Sequence, residues 1–262
     1  MSYLGAPGFR YHYEKRLIEL PSGIAPWYQV GQPGFFEIGA IYVDLLQQYC
    51  GLRPDSQVLD VGCGIGRISQ HLTGVLGQGG RYVGTDIVSS AIDWSRETFS
   101  GIDDFSFVHA DIFNREYNRN GKARAREYRF PFADSSFDIA VLTSVFTHML
   151  PAGTRQYLAE LSRVLRPGGR VLMTFFLLND PANAGMAAGL GNRIFHDCGQ
   201  GVFSTTPRVP EAAIGQEESA VRSMLSESGF DLTGPIQYGR WSGRSDASPR
   251  DQDLIIGRRH DT

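Results

Sequence analysis

Three carboxylates and a run of glycines are spaced for binding a hydroxylated ligand. Asp60 lies in Val58-Leu59-Asp60-Val61, which leads directly into Gly62-Cys63-Gly64-Ile65-Gly66. Asp86 closes a second apolar run, Arg81 to Thr85, and Asp111 stands just past a third, Phe105 to Ala110. Glycine has no Cβ, so a G-x-G-x-G loop lets a ligand approach uncovered backbone N–H groups. Ligands of open parallel sheets bind beyond the carboxyl ends of the strands, where three acids on successive strands would converge. A dinucleotide site would ask for G-x-G-x-x-G and an acid about 20 residues on. Asp86 suits a ribose, but Arg67 stands where the third glycine would fall, and the chain carries no G-x-x-x-x-G-K-[ST] phosphate loop.

The elements that must hold these residues follow from periodicity. Helical spacing predicts helices over Phe36–Cys50, Arg67–Leu76, Ser89–Phe99 (opening on a serine cap), Thr154–Leu165 and Glu217–Ser228. Apolar runs predict strands at Val58–Val61, Arg81–Thr85, Phe105–Ala110, Phe137–Val145, Arg170–Leu178, Phe230–Tyr238 and Asp253–Gly257. Arg166-Pro167-Gly168-Gly169 reads as a stop and turn. Strands alternating with helices imply an α/β architecture whose parallel sheet is covered on both faces. Residues 1–50 read as an N-terminal arm and helix, and residues 51–262 as one domain. Within it residues 179–216, rich in Gly, Pro, Ala and Asn, read as an inserted lid. The stretch Asn114 to Arg129 reads as an exposed insertion of mixed charge.

Composition narrows the class. The 262 residues carry a net charge of −3, which argues against a protein built to bind the nucleic-acid backbone. Three scattered cysteines supply neither a disulfide framework nor a zinc site, and a reducing, cytoplasmic setting is expected. The longest apolar stretch falls far short of the ~20 residues that span a bilayer. The 31 glycines and 11% aromatic residues exceed what a minimal core asks for.

Residues 57–178 resemble the class I S-adenosylmethionine-dependent methyltransferases. The resemblance rests on Val58 to Arg67, Gly84-Thr85-Asp86-Ile87, His109-Ala110-Asp111-Ile112, Phe130-Pro131-Phe132-Ala133-Asp134-Ser135-Ser136-Phe137-Asp138 and Leu165-Arg166-Pro167-Gly168-Gly169-Arg170, in that order. It implies a doubly wound, Rossmann-like, seven-stranded sheet, mostly parallel with an antiparallel last strand. It implies S-adenosylmethionine as cofactor. Gly62, Cys63 and Gly64 would pass beneath its methionyl part, with Asp60 toward the amino group and Arg67 in the first turn beyond. Asp86, followed by Ile87, would accept the ribose hydroxyls. Asp111 would take the adenine amino group and the Ile112 amide a ring nitrogen. Thr143 and Ser144 would lie beside the methionyl chain. Cys63 reads as a small lining residue, and Arg67 equally as a surface ion pair.

Methyl transfer from a sulfonium is an in-line displacement, so alignment supplies most of the catalysis, and a base helps chiefly an alcohol acceptor. His148, in Ser144-Val145-Phe146-Thr147-His148, is the candidate base; a structural role competes with it. His196 and Trp241 are candidate acceptor contacts, and His109 reads as packed. No [DNS]-P-P-[YF] follows the fourth strand, and no acidic cluster there suggests a metal. The expectation is a metal-free enzyme methylating a hydroxyl of a sugar, glycan or secondary metabolite. An amine acceptor and a non-catalytic cofactor-binding subunit remain the alternatives.

Overall fold

The structure, a computed structural model, describes residues 5–20, 23, 28 and 34–261. They fall into two units, the first within Met1–Asp111 and Phe137–Val141, the second within Ile112–Ser136 and Leu142–Thr262. The arm expected at the N-terminus lies partly outside the described residues.

In the first unit, α1 (Pro7–Ile18) starts on a proline, whose missing N–H costs nothing at a helix start. It is pinned by Tyr13, fully buried, whose hydroxyl donates to the Ile65 carbonyl at 2.9 Å and whose ring meets Trp94 edge-on at 5.5 Å. Helix α2 (Phe35–Leu45) widens into a π-helical turn, Leu46–Cys50, and stops at Gly51 with φ +71°. Strand β1 (Gln57–Val61) leads into the glycine loop and then α3, which spans only Ser69–Leu72 where a helix over Arg67–Leu76 was expected. Next come β2 (Arg81–Asp86), α4 (Ser89–Thr98), β3 (Phe105–His109) and β4 (Phe137–Leu142). Strand β1 pairs in parallel with β2 and β4, and β2 with β3. Val58 and Leu59 are fully buried; covering each contributes roughly 1.5–3 kcal/mol, which selects an apolar run with no polar alternation. The serine cap expected on α4 is absent: Val88 is the N-cap, and its N–H is satisfied by the Asp86 carboxylate at 2.9 Å.

In the second unit, α5 (Pro151–Val164) again begins on proline, earlier than expected, and buries Thr154, Tyr157, Leu158, Leu161 and Val164 at helical spacing. Strand β5 (Leu165–Phe175) runs straight through Arg166-Pro167-Gly168-Gly169, so that stretch ends the helix without making a separate turn. Then follow β6 (Leu177–Leu178), α6 (Asp180–Ala187), β7 (His196–Asp197), β8 (Phe203–Ser204), β9 (Ile214–Glu217), α7 (Glu218–Glu227), β10 (Phe230–Leu232) and β11 (Asp253–Arg259). Strand β11 pairs antiparallel with β5 and β10. The strand order β10-β11-β5-β4-β1-β2-β3 makes one seven-stranded sheet with the last strand reversed, as expected. Residues 179–216 are more ordered than their weak periodicity suggests. Asn179 caps α6 through the Ala182 N–H at 3.0 Å, and β6, β9, β8 and β7 form a small second sheet. Beneath them Phe176, Leu178, Ala182, Phe195, Ala213 and Trp241 form a separate hydrophobic cluster.

Candidate cofactor site and a basic histidine

The glycine loop is tied to the end of β2. The N–H groups of Gly62 and Cys63 both donate to the Thr85 carbonyl, at 2.7 and 3.0 Å. Gly64 has φ +55°, and its N–H donates to Asp86 Oδ2 at 2.8 Å. Asp86 is buried at 7% exposure, and its Oδ1 accepts from the Val88 N–H and from the Tyr28 hydroxyl at 3.3 Å. Burial pushes the Asp86 carboxyl up, while the bonds from Val88, Gly64 and Tyr28 hold it down.

Asp60 is more perturbed. At 1% exposure, it accepts the Tyr82 hydroxyl on Oδ2 at 2.8 Å, while Oδ1 is buried without a partner. Burial raises its pKa to about 7; the Tyr82 bond and the Arg67 charge oppose this, and the negative charge of Asp86 adds to it. Cys63 is buried, and desolvation and both carboxylates push its thiol well up, so it is not a nucleophile. Arg67 and Ile87 are half-buried, and the Ile87 carbonyl accepts from His109 Nε2 at 3.2 Å. Asp111, half-buried, closes the first unit. The structure thus brings Asp60, Asp86 and the glycine loop together in one unit.

The second unit carries the remaining candidates. Ile112 is buried and bridges to Ala123. Thr143 is buried, and Ser144 holds φ +59°, a conformation that costs a residue with a Cβ about 1 kcal/mol or more. Its N–H donates to Thr174 Oγ1 at 2.8 Å, and its hydroxyl pairs with the Gln252 side chain. This turn explains why β4 stops at Leu142 rather than at Val145.

His148 ends a short 3₁₀ turn, Phe146–His148. Its Nδ1 lies 2.8 Å from the Glu211 carbonyl, which can only accept, so Nδ1 carries the proton. That leaves Nε2 as the lone-pair nitrogen, 3.4 Å from the Tyr117 hydroxyl. Burial lowers the His148 pKa, the Glu211 bond opposing it, so the imidazole is held neutral. Tyr117 and Glu211 were invisible in the sequence because they sit 31 and 63 residues from His148.

His196 is exposed on β7. Trp241 requires a correction: it is 0% exposed, edge-on to Phe195, and its Nε1–H donates to Asp253 at 2.9 Å. It therefore presents no surface to an acceptor and serves as a buried pillar. Sequence reasoning also missed a cavity of about 760 Å³ lined by Asp180, Asp197, Glu217, Glu218, Met186 and Phe195, among others.

The family described as methyltransferase domain matches residues 59–173. The chain is 25% identical over 219 residues to a ubiquinone/menaquinone biosynthesis C-methyltransferase of Pectobacterium carotovorum, covering 77% of this chain and 79% of that protein. It is 26% identical over 159 residues to an O-methyltransferase of Penicillium expansum, covering 57% of this chain and 50% of that one. A SAM-dependent methyltransferase structure from Methanosarcina mazei superimposes with a TM-score of 0.54 at 23% identity, covering 82% of this chain and 97% of that one. Residues 59–173 form a methyltransferase domain of the S-adenosylmethionine-dependent kind.

The first unit of this methyltransferase fits its cofactor on structural grounds. The unpartnered, buried Asp60 Oδ1 lacks the donor that an ammonium group would supply. Gly64, without a Cβ, leaves beside the loop a space that the Tyr28 ring occupies, and the desolvated Asp86 carboxylate already accepts one hydroxyl, that of Tyr28. Among the described residues, no helix is long and apolar enough to cross a membrane, and no three metal-ligating side chains cluster.

Proposed function

We propose that this methyltransferase methylates a hydroxyl of a small molecule of the sugar, glycan or secondary-metabolite kind, with His148 as the base. When bound, S-adenosylmethionine supplies an electrophilic methyl group on a sulfonium. Asp60 takes its amino group, Asp86 its ribose hydroxyls and Asp111 its adenine amino group, with Gly62 and Gly64 allowing the close approach.

The observation that carries the reading is the state of His148. A neutral imidazole whose Nδ1–H is fixed on the Glu211 carbonyl turns its Nε2 lone pair to the Tyr117 hydroxyl 3.4 Å away, the position an incoming hydroxyl would take over. An alcohol needs that proton removed as the new C–O bond forms, and a placed base contributes typically 10²–10⁴-fold. Similarity does not select the acceptor atom, because the relatives' names specify both C- and O-methyl transfer. Screening compound panels for transfer of labelled methyl groups identifies the acceptor. With it in hand, His148→Ala is expected to lower kcat at least about a hundredfold; an unchanged kcat refutes the base role.

One observation favours an amine acceptor as the second reading. The 760 Å³ cavity carries four carboxylates, Asp180, Asp197, Glu217 and Glu218, against the single guanidinium of Arg222, over the apolar Met186, Phe195 and Phe203. That lining suits a cationic, partly apolar molecule. Labelled amines accepted by the protein, with a raised KM in Asp197→Asn, would establish this reading in place of the first.

A further inference from the structure

We propose that Tyr28 belongs to the cofactor site and holds Asp86 in the place of a ribose hydroxyl, so that cofactor binding exchanges a phenol for the ribose. The inference rests on the reading of Asp86 as the ribose acid, and it adds a residue that no motif of the chain indicates.

Two contacts place Tyr28. Its hydroxyl lies 3.3 Å from Asp86 Oδ1, and its ring lies against the glycine loop. A Cβ built on Gly64 would stand 2.5 Å from Tyr28 Cε1 and 2.6 Å from Cδ1, so the ring fills the space that the missing side chain leaves open. This is the face of the loop that a ligand would use.

Counting acceptor positions shows why ring and ribose exclude each other. An ionised carboxylate offers about four lone-pair positions. In Asp86 the Val88 N–H and the Tyr28 hydroxyl take two on Oδ1, the Gly64 N–H takes one on Oδ2, and the Ile87 N–H is a fourth donor to the carboxylate. No position remains, so a ribose hydroxyl can enter only where one of these donors leaves. The donors from Val88 and Gly64 are backbone groups that shape the loop. Tyr28 is the donor that can leave, and a phenol O–H is a fair chemical stand-in for a sugar O–H. With the ligand absent, Tyr28 keeps the buried carboxylate from losing a partner.

The test is calorimetry on the full chain with S-adenosylmethionine, adenosine, and adenine as the control that lacks a ribose. Tyr28→Phe removes the hydroxyl and keeps the ring; Tyr28→Ala removes both. The proposal expects Tyr28→Phe to bind S-adenosylmethionine and adenosine about 2- to 10-fold more tightly, the span of one net hydrogen bond, with adenine unchanged. Tyr28→Ala is expected to bind tighter still. Equal or weaker binding of the two ribosides by Tyr28→Phe overturns it. Asp86→Asn separates the two readings. If that variant loses adenosine affinity while Tyr28→Phe gains none, only the role of Tyr28 falls. If Asp86→Asn binds adenosine undiminished, the ribose reading falls and the proposal falls with it.

Discussion

Replacing Asp60 by asparagine should stabilise the cofactor-free protein at pH 8 and weaken its hold on the cofactor. An unfolded aspartate ionises near 3.8, whereas burial keeps Asp60 protonated in the folded chain up to about pH 7. Between those values the folded state binds one proton more than the unfolded state, so stability falls as pH rises through that window and is flat above it. At about 1.4 kcal/mol per pH unit the loss approaches about 4 kcal/mol, a ceiling because Arg67 and Tyr82 adjust when the charge forms. Asparagine keeps an oxygen for the Tyr82 hydroxyl and never acquires the charge. It also relieves Asp86, since each carboxylate raises the other's cost. The assay is urea unfolding of both proteins at pH 5 and pH 8, where titrating groups not coupled to Asp60 cancel in the difference. The wild type should lose up to about 3 kcal/mol more than Asp60→Asn between the two pH values, the part of the window above pH 5. Parallel losses would refute the claim that Asp60 is a desolvated carboxylate awaiting a cation.

Other predictions concern the second unit and the glycine loop. Arg163 links Glu160, Asp134 and the Phe130 and Phe132 carbonyls, so Arg163→Ala leaves Glu160 with the Phe130 N–H but no cation and is expected to cost about 1–3 kcal/mol in denaturant unfolding. Trp241→Phe removes the donor to Asp253, whose pKa burial has already raised to about 6; about 1–3 kcal/mol of stability should go, measured above pH 7, where that carboxylate is ionised. If His148 is the base, its lowered pKa places the acid limb of the kcat profile below pH 6.5, activity falling as the imidazole protonates. Gly64→Ala forces a residue with a Cβ into φ +55° and is expected to distort the loop, read as lost cofactor binding in a protein that keeps its circular dichroism.

Much of the first unit was legible because its chemistry is written in consecutive residues: a buried strand, a glycine loop and an acid at each strand end. What escaped was the contribution of distant segments. Tyr82 reads as one more strand residue, yet it holds Asp60; Tyr28 follows no motif, yet it meets Asp86 across 58 positions. Glu211 acts through its carbonyl, which no side-chain pattern reports. Residues 179–216 looked unstructured because strands of two to four residues are too short to show a period. Trp241 was misplaced because aromatic residues beside Gly, Ser and Arg suggest a loop surface. The buried carboxylate of Asp253, which draws the indole inward, comes twelve residues later.

Titration of S-adenosylmethionine into the full chain and its Asp86→Asn variant bears most directly on the proposed cofactor site. Binding at one site per chain, weakened about 10- to 100-fold by losing the charged acceptor, is the predicted result. Absence of binding, or undiminished affinity in the variant, would contradict the site built on the glycine loop and its carboxylates.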